Sequence, residues 1–422
     1  MKIWILNHYA SPPDRPAGTR HYEFGRVLAA QGHEVTIFAS SFSHFSRQEE
    51  RLAPGERTRV EWVDGVRFVW VRTTSYTRND IRRVRNMLSY AAGVLLIQRR
   101  LSRPDVVVGS SVHLLAVAAA WLIGRTRGVP FVFEVRDLWP QTLIDLGALR
   151  ERGAAARMLR AAERFFYHQA RVVITLLPGA PEYIAGRGIA PERIAYVPNG
   201  IADASSGEDG SSGEDGSGHD AATELAGRIE EWRRAGRMVA GYVGSHARAN
   251  GISTLVAAAR ELRDRGEDHI ALVFVGEGPE KAACQRLARE HDLSNVLFWR
   301  PVSKRSVPTV LGALDVMLFA VCDVPVFEYG LSSNKLFDYL ASGRPVVAAC
   351  AVPGNPVSES GGGICVPPES PKAVADALID VAALGDAGRR AIGDRGRRWV
   401  FEHHGSTALA GQFLRALNRA QR

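Results

Sequence analysis

The chain has 422 residues, 46% of them apolar and 23% charged, and a formal net charge of +8. That length exceeds what one hydrophobic core usually serves, and the composition is ordinary for a globular protein, so two α/β domains are expected with disorder only locally. No apolar run reaches the ~20 residues of a spanning helix, and the opening MKIWILNHYASPP enters a strand without the apolar stretch of a secretory leader, which predicts a cytoplasmic protein.

In chain order, short apolar runs alternate with amphipathic stretches, the pattern of parallel sheets with helices on both faces. Strands are expected at Ile3–Tyr9, Glu34–Ala39, Asp105–Gly109, Pro130–Val135, Val172–Leu176 and Ile194–Val197, with a helix at Thr19–Gln31 stopped by Gly32. An acidic Gly/Ser tract, SSGEDGSSGEDGSGHD at 205–220, cannot bury enough apolar surface to offset its ordering entropy. Residues 201–225 are therefore expected to be a flexible linker. The rhythm restarts with strands at Val239–Val243, Ala271–Val275, Val296–Trp299, Val316–Phe319, Val346–Ala349 and Gly363–Val366. Helices are expected at Gly251–Arg265, Glu280–Glu290, Asn334–Ala341 and Pro371–Leu384, followed by three helical segments, the last near Ser406–Ala420. The expected domains are 1–200 and 226–405, with a terminal helix over 406–422 packing back on the first.

Cys284, Cys322, Cys350 and Cys365 are scattered without a C-x-x-C pair, which predicts free thiols and no zinc. The basic surplus lies in residues 1–200, a half that could meet nucleic acid, an anionic membrane or a phosphorylated substrate; plain solvated surface explains it as well.

In open parallel sheets ligands bind beyond the carboxyl ends of the strands. ALVFVGEGPEK places Gly276 and Gly278 between a strand and a helix, where backbone N–H groups can approach phosphates, though glycines also serve simple tight turns. In YGLSSNKLFDYLASGRPVV, residues 329–347, Ser332 or Ser333 can cap a helix whose Leu336, Phe337 and Leu340 face the core. Lys335 then falls in the first turn, where the macrodipole disfavours a cation. A diphosphate bound there would engage the helix N-terminus and the ammonium together; the alternative is a solvated surface lysine. Asp338 lies on the same helical face and could accept ribose hydroxyls or simply pair with Lys335.

In the first half Gly18 opens a helix and Arg20 adds a cation at its start. His8, Arg20, His113, Glu134, Arg136 and Asp137 all sit at or just beyond strand ends, with Glu134 and Asp137 as acid/base candidates and Arg136 able to lock either into an ion pair. No carboxylate cluster for a divalent metal is evident, so metal independence is expected.

NHYASPP, FEVRDLWPQT, the PNG turn, YVGSHARANG and SSNKLFDYLASGRP together carry a resemblance. The chain resembles the family-four retaining GT-B glycosyltransferases, in particular the WbuB-type branch that includes L-fucosamine transferases of bacterial surface polysaccharides, over nearly its whole length apart from the acidic tract. The resemblance implies two doubly wound Rossmann-like domains facing a central cleft and hinged at Asn199 and Gly200. It implies a nucleoside diphosphate sugar, with UDP as the nucleotide, as co-substrate and no cofactor, and a lipid-linked glycan acceptor such as a polyprenyl diphosphate. Nucleic acid is not expected among its partners.

Carried over by motif, the ribose-binding acid falls on Asp338 and the diphosphate-binding main chain on Asn334, Lys335 and Leu336, with Gly244, Ser245, Gly276 and Gly278 completing the donor loops. The expected catalytic residues are Asp137, Lys335 and Glu134, and the expected acceptor-binding residues Gly18, Arg20, His113 and Arg136. There are departures. The family's pair of glutamates falls on Gly330 and Asp338, with Glu328 two residues away. Its Arg and Lys after the first strand of the second domain fall on Ser245 and Asn250, which shifts the phosphate charge onto Lys335, helped by Arg248 or Arg300. Its first-domain histidine aligns with Arg136. Two rival readings remain at this stage, a nucleotide-sugar epimerase of the same architecture and a non-catalytic scaffold that binds nucleotide sugar.

Residues 76–100 place Arg78, Arg82, Arg83 and Arg85 beside an apolar helix with Met87, Leu88, Tyr90, Val94 and Leu95. That combination suits the headgroup boundary of an anionic membrane, on whose inner face the protein is expected to sit peripherally; a core-packed helix behind a solvated basic loop is the other reading.

Overall fold

The computed structural model describes residues 1–13, 18–44, 46–78, 80–111, 113–203 and 216–422. They form two units, Met1–Ala202 with Ser406–Arg422, and Asp203–Gly405. Residues 204–215 of the expected linker lie outside the described residues. Residues 216–225 belong instead to a helix, where Ala221, Ala222 and Leu225 are buried, so the apolar stripe that orders this stretch begins before the acidic composition ends.

The first unit runs β1 (Lys2–Leu6), α1 (Arg20–Ala30), β2 (Glu34–Ser40), β3 (Thr58–Val63), β4 (Val66–Val71), α2 (Ile81–Ile97), β5 (Val106–Ser110), α3 (Leu114–Arg127), β6 (Phe131–Val135), α4 (Gln141–Asp145), α5 (Ala154–Gln169), β7 (Val172–Thr175), α6 (Ala180–Ala185) and β8 (Ile194–Tyr196). Its sheet has the order β3-β4-β2-β1-β5-β6-β7-β8, parallel throughout except for β3. Strands β5, β6 and β7 are buried along their whole length, as apolar runs covered on both faces must be. The β3–β4 hairpin was not expected. Its signal was present in VEWVDGVRF, where Asp64 and Gly65 take positive φ (47° and 78°), the geometry that Asp-Gly supplies to a two-residue hairpin.

The second unit runs α7 (Gly216–Arg234), β9 (Met238–Val243), α8 (Ile252–Asp264), β10 (Ile270–Val275), α9 (Lys281–Glu290), β11 (Val296–Trp299), α10 (Val307–Ala313), β12 (Val316–Ala320), α11 (Asn334–Ala341), β13 (Val346–Ala349), α12 (Pro356–Ser360), β14 (Gly363–Val366), α13 (Pro371–Ala383) and α14 (Gly385–His404). All six strands are parallel, in the order β11-β10-β9-β12-β13-β14. Two helices, not three, follow α13: α14 and then α15 (Ser406–Gln421).

Helix α15 belongs to the first unit. It packs along α1 and buries Leu409, Phe413 and Leu417 in the core that also holds Phe24 and Leu28. Full burial of such side chains contributes about 1.5–3 kcal/mol each.

Candidate functional site

In each sheet the strand order turns back on itself beside the first strand of the unit, between β1 and β5 in one and between β9 and β12 in the other. Loops part at such a point and leave room for a ligand beyond the strand ends. Both sets of sequence candidates gather at these places.

In the second unit, β9 ends at Gly244, whose backbone has φ +157°. A Cβ there would lie 2.6 Å from Lys335 Cδ, so only glycine lets the lysine cross the strand end. A Cβ on Gly276 would lie 1.9 Å from the Gly244 carbonyl oxygen, and one on Gly278 2.5 Å from that of His246. The loops after β9 and β10 thus pack backbone to backbone, joined by hydrogen bonds from Gly244 N to Val275 O (2.9 Å), His246 N to Glu277 O (2.8 Å) and Glu280 N to His246 O (3.0 Å). Ser245 is exposed beside them.

Lys335 Nζ donates to Tyr242 Oη (2.7 Å) and Asn250 Oδ1 (3.0 Å) and lies 4.8 Å from the Tyr242 ring centre. Burial brings its pKa down to about 7. Helix α11 is fixed to β9 by Tyr339, whose hydroxyl donates to Val243 O (3.0 Å) and accepts from Val243 N (2.8 Å). Ser333 occupies the N-cap of α11 and makes no side-chain cap hydrogen bond, while its carbonyl oxygen accepts from Leu336 N (3.1 Å). Leu336 is buried and can offer only main chain, whereas Asn334 is exposed. The alternative reading of Asp338, an ion pair with Lys335, is not found among the described residues; burial raises the Asp338 pKa, with Lys304 opposing. Of the two expected helper arginines, Arg300 is drawn off by Glu224 (2.9 Å), while Arg248 is exposed.

His246, which sequence reasoning passed over, is completely buried, and neither ring nitrogen has a hydrogen-bond partner. Burial, then nearby Lys281, depresses its pKa to about 4. Its motif, GSHARANG, gave no sign that the ring turns inward under the glycine loops.

In the first unit, a chain of hydrogen bonds surrounds Glu134. Asn7 Oδ1 accepts from Tyr9 N (3.1 Å), which turns its amide nitrogen toward His21 Nδ1 (2.9 Å). His21 must then donate through Nε2 to Glu134 Oε2 (2.7 Å). The same carboxylate accepts from Ser110 Oγ (2.6 Å) and Arg20 Nε (3.0 Å). Burial would raise its pKa, but His21 and Arg20 outweigh it and hold the carboxyl well below the usual range. Arg20 continues to Val197 O (2.8 Å), Pro198 O and Asn199 Oδ1 (3.3 Å). Glu134 and Arg20 thereby brace the PNG turn, both carboxylate oxygens and the guanidinium being hydrogen-bonded within the first unit.

His113 is likewise held by the fold. Its Nδ1 accepts from Ala116 N (3.2 Å) as the N-cap of α3, and its Nε2 meets His8 Nδ1 (2.9 Å). What remains open at this strand end is the Arg136–Asp137 pair. Arg136 is held through its N–H by Ser111 Oγ (2.9 Å) and has no ion pair among the described residues; its guanidinium lies against Gly18, where a Cβ would be 3.5 Å from Nη2. Asp137 is exposed, yet its pKa is raised by desolvation with Arg136 opposing; crowding by protein around an open carboxylate accounts for both. Among the basic residues expected at a membrane, Arg78, Arg82 and Arg85 are exposed, but Arg83 turns inward to Tyr9 Oη (3.5 Å) and leaves that patch.

The profile of the Glycosyl transferase 4-like domain matches residues 17–200, and that of Glycosyl transferases group 1 matches residues 237–383, together most of the chain. The chain is a glycosyltransferase with the GT-B fold. The glycosyltransferase is 25% identical over 391 residues, 89% of this chain and 90% of the other, to a protein of Escherichia coli (strain K12) named as a colanic acid biosynthesis glycosyl transferase, WcaI. Its fold matches sucrose-phosphate synthase from Thermosynechococcus elongatus with a TM-score of 0.72 at 19% identity, over 99% of each chain. It also matches Anabaena Alr3699/HepE in complex with UDP and glucose, with a TM-score of 0.67 at 14% identity over 99% of each.

Proposed function

We propose that this glycosyltransferase moves a sugar, with retention at the anomeric carbon, from a UDP-sugar to a lipid-linked glycan in bacterial surface polysaccharide synthesis, as the WbuB-type resemblance implies. The observation that carries the reading is Lys335: a largely buried amine in the first turn of α11, hydrogen-bonded only to neutral groups and crossing a strand end that must be glycine. A leaving diphosphate bound there would favour its charged form and be stabilised by it. The names of WcaI and the UDP complex of HepE agree with this choice of pathway and donor.

In the step itself, the bond from the anomeric carbon to the β-phosphate oxygen breaks while the acceptor hydroxyl oxygen bonds to the same face of that carbon. The hydroxyl proton passes to an oxygen of the departing diphosphate. Lys335 and the first N–H groups of α11 stabilise the negative charge that develops there, so no divalent cation is required. Asp338 holds the ribose, and Gly244, Ser245, Gly276, Gly278, Asn334 and the Leu336 main chain line the nucleotide. Arg136 and Asp137 bind and orient the acceptor.

A panel of nucleotide sugars tested with and without a polyprenyl-diphosphate glycan, in chelator, checks this reading. Nucleoside diphosphate released only with both partners present, and a product with the donor's anomeric configuration, is the expected result. Donor isomerised without acceptor would identify an epimerase, and binding without release a scaffold.

A further inference from the structure

Helices α2, α3 and α5 lie side by side on the first unit, α3 packed against both neighbours. A helix that covers a sheet normally turns a polar face outward. These do not. Helix α2 buries Asn86, Tyr90 and Val94 but exposes Ile81 (69%), Leu88 (50%) and Leu96 (66%), together with Val84. Helix α3 adds Leu122, and α5 adds Met158 (66%) and Phe165. Among the described residues, seven of the eleven exposed large apolar side chains fall on these three helices, too many for chance scatter.

The charges between them have one sign. Helices α2 and α3 contain no Asp or Glu, and the single acid of α5, Glu163, is buried. Arg82, Arg85, Arg99, Arg125 and Arg164 are exposed and have no ion pair among the described residues. An apolar protein partner would satisfy the leucines but strand these arginines, whereas the phosphate headgroups and acyl boundary of an anionic bilayer satisfy both. No helix of the described residues is long and apolar enough to cross a membrane, so the contact is one of lying on the surface.

We infer that the α2–α3–α5 face is a docking surface for an anionic lipid bilayer. It extends beyond the basic segment legible in the sequence, taking in α3 and α5 and omitting Arg83. The inference deepens the proposed function and rests on it for the lipid-linked acceptor. The first turn of α2 reaches Tyr9, just beyond β1, through Arg83, and Arg136 and Asp137 follow β6, two strands away at the same edge of the sheet. Between Asp137 and α5, helix α4 buries none of its residues and leaves Leu143 and Ile144 partly exposed on the same route. A docked face therefore holds these strand ends near the headgroups from which a polyprenyl diphosphate projects.

The test is flotation of the full chain with vesicles of phosphatidylcholine alone or enriched in phosphatidylglycerol, at low and high salt. The wild type should float with the anionic vesicles and lose most of that binding in salt. L88E/L96E and R82Q/R85Q should each lower the partition about tenfold or more, with melting and UDP binding unchanged. Equal flotation by wild type and both variants, or no flotation of the wild type, would overturn the surface. So would a wild-type dimer that L88E/L96E turns into a monomer without any vesicle binding, which would give the face to a second copy. Flotation needs no acceptor: vesicle binding together with failure to use any lipid-linked glycan would remove the acceptor assignment and leave the docking surface standing.

Discussion

The ammonium of Lys335 and the hydroxyl of Tyr242 lie 2.7 Å apart, and the lysine's other hydrogen-bond partner, Asn250 Oδ1, is neutral too. The site holds an amine that a bound anion would charge, with no carboxylate paired to it among the described residues.

The pH dependence of donor binding follows. Burial holds the Lys335 pKa at about 7, and a bound diphosphate favours the charged form and raises it. Affinity for UDP should be highest below about pH 7 and fall above it, by at most about tenfold per pH unit. Calorimetry in buffers of different ionisation heat should register proton uptake near neutrality. Lys335→Met should bind UDP weakly at every pH; a flat affinity profile for the wild type would refute the phosphate role.

The empty protein has its own signature. Because the folded pKa lies below the ordinary 10.5, the unfolded chain holds more protons between about 7 and 10.5, and stability rises with pH through that window. The melting temperature of the wild type should climb relative to that of Lys335→Met as pH goes from 7 toward 10. Parallel curves would mean that the lysine is solvated.

Gly276→Ala combines a φ of +141° with a Cβ 1.9 Å from the Gly244 carbonyl oxygen. Backbone strain alone costs of order 1–3 kcal/mol, and the clash adds to it. Denaturant unfolding should show a loss of about 3 kcal/mol or more, and UDP binding should fail even in the folded fraction. Wild-type binding would mean that the donor loops can separate.

Glu134→Gln and Asp137→Asn should behave oppositely. The first leaves Arg20 buried beside a neutral amide and should cost about 3–5 kcal/mol of stability. The second should leave melting and UDP binding intact while abolishing transfer. A Glu134→Gln enzyme that melts normally but is inactive would restore Glu134 to the chemistry, and an active Asp137→Asn enzyme would remove Asp137 from it.

The parallel strands and helix α11 were legible because each rests on a local signal: an apolar run of the right length, or a serine pair before an apolar stripe with glycine and proline after it. Lys335 stood out in the sequence because its place in a first helical turn is a local property, whereas its partners Tyr242 and Asn250 are supplied by the fold. Glu134, Arg20 and His113 looked functional because position at a strand end is a sequence property, whereas their partners, His21, Pro198 and His8, are supplied by the fold. His246 was invisible for the same reason, since the direction of a ring is set by packing. The β3–β4 hairpin was missed despite its Asp-Gly turn.

Helix α15 carries a consequence for how the molecule is made. The first unit's core includes Leu409, Phe413 and Leu417, separated in sequence from the rest of that core by the entire second unit. During synthesis, residues 1–202 emerge first but must wait, with Phe24 and Leu28 uncovered on α1, until residues 406–422 arrive. The second unit is contiguous and can finish folding while the first is still incomplete. Vectorial production of this enzyme is therefore inverted: the half made first is completed last, and its exposed α1 seam is the place where chaperones or aggregation would act on the nascent chain.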